Sequence, residues 1–374
     1  MNNKLIIDNF QNDFTKIHTK MNKGIAILFM VYYHLFVLHN NLDVTYLSLP
    51  DLVVPNIHYY LANFGKICVC IYCFLSGIGA FYSQQNAKNF LPMYKKVLTH
   101  LGKFFLNYWI IAMVTIPFAI HTGLIDFSIK NIFYAMLGSV NEITEWWFVK
   151  LYVFLQIISP VLIRIIQEKR IISKLLPLLF LFVMIAMLKG DIYFYGFPSN
   201  MVLRLLFDYV DCVDYWYCIL TFIIGIICVK YNLYSLIPNR VGLKNKLLLF
   251  LFLIISIAIR VIFSNNVSTM TFDWIVVPIF VFTISKLLYG TKICKFLCYF
   301  GKHSTNIWLI HCLWLFYFAS DLVYFPYASI FIYLWLLILS LLSSYIINLI
   351  YVPLCNLFFS RKHKLTFDGY FYYK

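Results

Sequence analysis

Charge is the scarce ingredient of this chain. Asp, Glu, Lys and Arg make up 12% of its 374 residues, about half the ~25% of a soluble domain. With 62% hydrophobic residues and a mean hydropathy of +0.81, it holds more apolar surface than a water-soluble core can hide. The same excess excludes a disordered chain. Polar stretches long enough for a separate soluble domain are also missing. Acidic residues are rarer than basic ones, 15 against 30. That net charge of +15 raises nucleic acid as a partner only until the basic residues are located. What remains is a polytopic membrane protein whose solvent is lipid.

Apolar stretches near the ~20 residues needed to cross a bilayer recur down the chain. Ten spans are expected, at 23–40, 58–82, 101–120, 146–165, 173–190, 212–230, 246–263, 272–289, 303–320 and 328–353. Two further segments, Ile125–Val140 and Ile192–Val210, mix apolar and charged residues with Gly and Pro and read as interfacial or re-entrant. With the N-terminus in the cytoplasm, six cytoplasmic segments hold four basic residues each. The outer links keep only Lys130, Lys189, Arg204 and Arg260, and Lys66 and Lys150 fall within spans. This is the positive-inside pattern. The expected fold is therefore all-α: a bundle of about ten transmembrane helices with both termini cytoplasmic. A cytoplasmic arm (1–20) precedes the membrane domain (21–358), and a cytoplasmic tail (359–374) follows it. The first twenty residues carry no apolar run of the kind a cleavable signal peptide has, so the first span itself inserts the chain.

Because the positive charge is dispersed over short links, it reads as a topology signal and an attraction to anionic lipid heads. Nucleic acid is not an expected partner. Most of the ten cysteines lie inside spans, where cysteine acts as a small hydrophobe. Cys68-x-Cys70-x-x-Cys73 points in different directions once wound into a helix, and Cys294, Cys298 and His303 are too few for zinc. No metal centre is expected from either spacing.

Ionisable residues within a span cost ~2.5–3.5 kcal/mol at its centre and mark function by default. Four stand out here: His34, Lys66, Lys150 and His311. His34 follows Lys23 by eleven residues, about 20° beyond three full turns and about 16 Å along one helix face. A cation at the cytoplasmic edge is thus aligned with an imidazole near mid-membrane that can serve as a general base. His34 equally fits a hydrogen bond to a neighbouring helix, and Lys23 a lysine reaching up to lipid heads. Ser76 closes the second span in Leu75-Ser76-Gly77, where small residues let backbones approach. Glu145-Trp146-Trp147-Phe148 opens the fourth span. Its tryptophans fit an interfacial belt or a platform for substrate.

In this order the pieces resemble the membrane acyltransferase 3 family of bacterial surface-polysaccharide O-acyltransferases. Lys23-Gly24-Ile25 leading to His34 is similar to that family's opening of a basic residue, Gly-Ile and a His. Phe74-Leu75-Ser76-Gly77 is similar to its second-span signature, and Trp147-Phe148 with Ser159-Pro160 to its Trp-Phe … Pro span. Gly301-Lys302-His303-Ser304 with Trp308-Leu309-Ile310-His311 resembles its penultimate span. The resemblance covers about residues 20–355.

It implies transfer of an acyl group, commonly acetyl, from cytoplasmic acyl-CoA to a sugar hydroxyl of a surface or lipid-linked glycan, with no metal. The location implied is the bacterial cytoplasmic membrane. His34 matches the family's essential His as base, and His311 is expected at the same cavity. Lys23 stands where the family has Arg and loses the planar fork that grips phosphate bidentately. Lys95, Lys96 and Lys103 replace an arginine-rich stretch. With Lys23 they are the expected seat of the donor's phosphates. Trp147, Glu145, Ser76 and Asp208, in the outer cluster Asp208, Asp211 and Asp214, are the expected acceptor contacts. The rival is a transporter or flippase of a glycan or its precursor. That would want two related halves, and none is visible.

Overall fold

The computed structural model describes residues 13–38, 46–55, 57–139, 143–167, 215–237, 243–262 and 272–359. The expected span 173–190, the segment 192–210 and Asp208 with its neighbours lie outside the described residues, as do the ends of the chain. No strand is present among the described residues; an isolated bridge between Leu47 and Ala328 is the extent of β pairing.

The chain runs as α1 (Lys16–Phe36), α2 (Ile57–Phe64), α3 (Cys68–Gln84), α4 (Phe90–His121), α5 (Ile129–Met136) and α6 (Trp147–Gln167). Then come α7 (Trp216–Lys230), α8 (Leu243–Ile262), α9 (Asp273–Leu288), α10 (Lys292–Cys312), α11 (Ser320–Tyr324) and α12 (Ser329–Phe359). Short 3₁₀ turns at Gly65–Ile67 and Thr144–Trp146 extend α3 and α6 at their starts. Four stretches are long and apolar enough to cross a membrane: Ile57–Gln84, Phe90–His121, Thr144–Gln167 and Ser329–Phe359. The chain is an all-helical membrane protein.

Expected spans and helices coincide in the middle and differ at the ends. α1 begins at Lys16, before the expected membrane domain, because Thr15 and His18 cap it reciprocally and Phe14 is buried among aromatic rings. α4 and α10 begin about eleven residues ahead of the expected spans 101–120 and 303–320, and both early turns carry lysines. Helix propensity does not end where lipid ends. The segment 125–139 holds only α5, eight residues long, or about 12 Å against a ~30 Å hydrocarbon core. Tyr108 and Trp109 of α4 donate to its last carbonyls, Ala135 O and Met136 O, so it lies against α4 as a short helix.

Two helix crossings organise the core, and both rest on pairs of glycines. At α1 and α10, a Cβ on Gly24 would overlap the carbonyl of Leu297, and one on Gly301 would overlap the carbonyl of Lys20. At α3 and α7, Gly77 presses on the carbonyl of Phe222 and Gly225 on that of Phe74. Small residues let backbones meet where lipid gives no hydrophobic drive between helices. In each crossing the facing residues keep a constant sequence separation, 277 in the first and 148 in the second. Each pair therefore runs parallel.

Candidate active site

The α1–α10 crossing sets the register of the site. Gly24 and Gly301 meet, and ten residues further along each helix stand His34 and His311. Ten residues rise about 15 Å in either helix, so two parallel helices in contact at the glycines bring the imidazoles level. They touch: His34 Nδ1 is 2.8 Å from His311 Nε2, with the rings stacked at 15° and a centroid distance of 4.9 Å.

The hydrogen bonds assign the tautomers. His311 Nδ1 lies 2.8 Å from the carbonyl oxygen of Ile307 and 3.0 Å from that of Trp308. A carbonyl only accepts, so Nδ1 carries the proton, and in the neutral ring Nε2 offers a lone pair. His34 Nδ1–H donates to that lone pair, which puts the basic lone pair of His34 on its Nε2. His311 is fully buried, whereas His34 is partly exposed. The inner ring is fixed by backbone, and the outer one can meet a substrate.

A thiol completes the cluster. Cys312 Sγ is 3.0 Å from His34 Nδ1 and 3.2 Å from His311 Nε2, and its side chain is fully buried. Immediately beyond it α10 loosens into a π-helical turn, Leu313–Phe318, a form concentrated at functional sites.

Around this centre the expected residues divide. Glu145 is half-buried, accepts from Thr144 Oγ1 and from Tyr317 Oη at 2.9 Å each, and acts electrostatically on Cys312. Trp147 stacks on Tyr215 at 4.2 Å. The tryptophan that reaches the histidine helix is its neighbour Trp146, fully buried, whose Nε1 donates to Leu309 O at 3.0 Å. Ser76 is half-buried on α3, beside the other glycine crossing.

Lys23 and Lys103 both act on His100 of α4, which sits 2.5 Å from Tyr152 Oη. Lys95 and Lys96 stand exposed further towards the start of α4, with Lys96 Nζ donating to Ser83 O at 2.5 Å.

The other spacings weighed for metal hold no such convergence. Cys70 faces Cys218 at 3.8 Å, Cys298 reaches the carbonyl of Ile17, and His303 bonds Ser344 Oγ at 2.9 Å. Of the remaining ionisable residues in spans, Lys66 lies beside the buried ion pair Arg260–Asp273, whose Nε–Oδ1 distance is 2.9 Å.

Sequence reasoning missed Cys312 and Trp146. In the sequence the first reads as one more small apolar residue in a span, and the second as half of a tryptophan pair that fits an interfacial belt or a platform for substrate. One signal for the histidine pairing was present: the equal ten-residue spacing of Gly24–His34 and Gly301–His311.

A family model described as an acyltransferase domain matches residues 21–349. No curated protein and no solved structure matches the chain.

Proposed function

The chain belongs to the acyltransferase 3 family, an enzyme family that transfers acyl groups to hydroxyl acceptors, and from that premise we propose that it moves an acyl group, most simply acetyl, from cytoplasmic acyl-CoA to a hydroxyl of a cell-surface or lipid-linked glycan. The observation that carries this reading is the tautomer-locked His34–His311 pair. Its outer ring presents an unprotonated Nε2 next to a partly open space. In the proposed reaction His34 Nε2 takes the proton of the acceptor hydroxyl as its oxygen attacks the thioester carbonyl. The CoA sulfur leaves and takes up that proton. His311, which accepts the Nδ1–H bond, keeps the ring oriented and holds the imidazolium while it exists, as the third member of a catalytic triad does for its histidine. General-base help of this kind supplies about 10²–10⁴-fold.

The donor side rests on charge. Lys23 and Lys103, which both act electrostatically on His100, suit the phosphates of a nucleotide thioester, with Lys95 and Lys96 as an outer, screened attraction. The acceptor side rests on Glu145, fixed by Thr144 and Tyr317, as a hydrogen-bond acceptor for sugar hydroxyls. Trp147 and Ser76 are weaker members of that surface, and Asp208 remains a proposed contact from the sequence alone.

We place the enzyme in the bacterial cytoplasmic membrane with ten spans and both termini inside. The parallel run of α1 with α10 and of α3 with α7 supports this reading. In it they are spans one and nine, crossing outward, and spans two and six, crossing inward.

The test is to incubate membranes bearing the chain with acyl-labelled CoA and host glycan, for wild type and His34→Ala. Label should reach the glycan with wild type and fall by about 10²–10⁴-fold in the variant at equal expression. Transfer retained by His34→Ala overturns the base assignment. Glycan moved across the membrane without label overturns the transferase reading.

A further inference from the structure

The base mechanism leaves Cys312 without a task. Yet its sulfur is held against both imidazole nitrogens, and the three potential ligand atoms all lie within 4.8 Å of one another. We propose that His34 Nδ1, His311 Nε2 and Cys312 Sγ form a binding site for a thiophilic divalent transition-metal ion, with zinc as the reference case, and that filling it shuts the transferase off. The inhibitory half rests on the reading of His34 as the base; the site itself does not.

Two features favour an ion here over a purely hydrogen-bonded cluster. The donor set, two imidazoles and one thiolate, is built from the ligand types of three-ligand zinc sites with one position left open, and it is the trigonal set that also holds copper. The separations of 2.8, 3.0 and 3.2 Å need to widen only slightly, because metal bonds of about 2.0–2.3 Å place tetrahedral ligands roughly 3.3–3.7 Å apart. Second, His311 already has the outer hydrogen bonds that metal-bound histidines have. Its Nδ1–H is tied to the carbonyls of Ile307 and Trp308, which aims the Nε2 lone pair inward. The thiolate makes the site selective: magnesium and calcium prefer all-oxygen shells.

The protons balance simply. Binding releases the Cys312 thiol proton to solvent as the sulfur becomes a ligand. The His34 ring proton shifts from Nδ1, now bound to the ion, to Nε2. Nε2 thereby becomes a donor and no longer takes the acceptor's proton. A filled site and a working base are mutually exclusive.

The experiment uses the full chain purified in detergent. Cobalt(II) alone should bind and develop the intense near-ultraviolet absorption of a thiolate-to-cobalt transition, and zinc should bleach it by displacement. Cys312→Ser, which keeps the volume, should lose that absorption and bind cobalt at least about tenfold more weakly, with Cys312→Ala as a second variant. In membranes, zinc should inhibit labelled-acyl transfer by wild type, and Cys312→Ser should need at least about tenfold more zinc. Magnesium and calcium at the same concentrations should do nothing. Identical cobalt spectra in wild type and both variants overturn the site, because nine other cysteines would then account for the binding. A cysteine-dependent cobalt spectrum with zinc-insensitive transfer keeps the site and overturns the inhibition. If wild type shows no transfer at all, the proposed function fails, and the cobalt arm still decides the site.

Discussion

The two glycine crossings are built alike and do different things. In each, a pair of parallel helices meets through reciprocal glycine–carbonyl contacts, and residues at equal distance from the two glycines face each other. At α3 and α7 the facing pair lies seven residues before the glycines and is Cys70–Cys218, two buried thiols 3.8 Å apart. At α1 and α10 it lies ten residues after them and is His34–His311 at 2.8 Å. A buried thiol pair is a weak donor–acceptor contact that packs much as small hydrophobes do. An imidazole pair anchored on helix carbonyls is a proton-handling device. Close helix approach supplies the register in both cases, and the side chain at the matched position decides whether the register becomes chemistry.

Breaking each crossing in turn tests that contrast. The largest expected difference follows removal of one facing side chain. His311→Phe leaves His34 without its acceptor and free to take the wrong tautomer, so transfer should fall about 10²-fold. Cys218→Ala should leave the rate within about twofold, since a buried thiol replaced by a methyl loses only a weak contact. Rates per folded protein, measured with labelled donor, decide it; equal losses would mean that both crossings are only scaffolds.

A methyl at either glycine should separate stability from activity. Gly301→Ala and Gly225→Ala each drive a Cβ into a carbonyl, of Lys20 in one case and Phe74 in the other, at about 1–3 kcal/mol of overpacking. Thermal unfolding in detergent should show similar losses for both. Only Gly301→Ala should also slow transfer, by roughly tenfold or more, since it parts the two imidazoles. The smallest effect belongs to the indole that ties α6 to α10. Trp146→Phe removes the donor to Leu309 O and should cost about 1–2 kcal/mol, whereas Trp147→Phe, which keeps a ring on Tyr215, should cost less. A larger loss at Trp147 in the same unfolding measurement would reverse that ranking.

Some parts of the site were legible in the sequence because they are properties of single segments. His34 and His311 stood out as ionisable groups in apolar runs, and Glu145 as a charge at the head of another. Their relation was not legible. They are separated by 277 residues, and nothing in the periodicity of α1 names α10 as its neighbour. Lys95 and Lys96 shared a sequence neighbourhood with Lys103, yet both stand exposed, and Lys96 reaches back to Ser83 O. A lysine's direction depends on which helix face is covered. Cys312 illustrates the same limit. Residues at i and i+1 point apart in a helix, and the contact of its sulfur with both rings is visible only once α1 is packed against α10.

What the sequence determined by itself was the solvent and the secondary structure. So much apolar surface can be stable only in lipid; lipid leaves helices or a closed barrel, and apolar runs of about twenty residues select helices. The ring-to-ring contact, the choice of tautomer and the thiol beside it were decided by tertiary structure. Those depend on how closely two backbones approach, and at this crossing that distance is set by Gly24 and Gly301, the absence of two side chains.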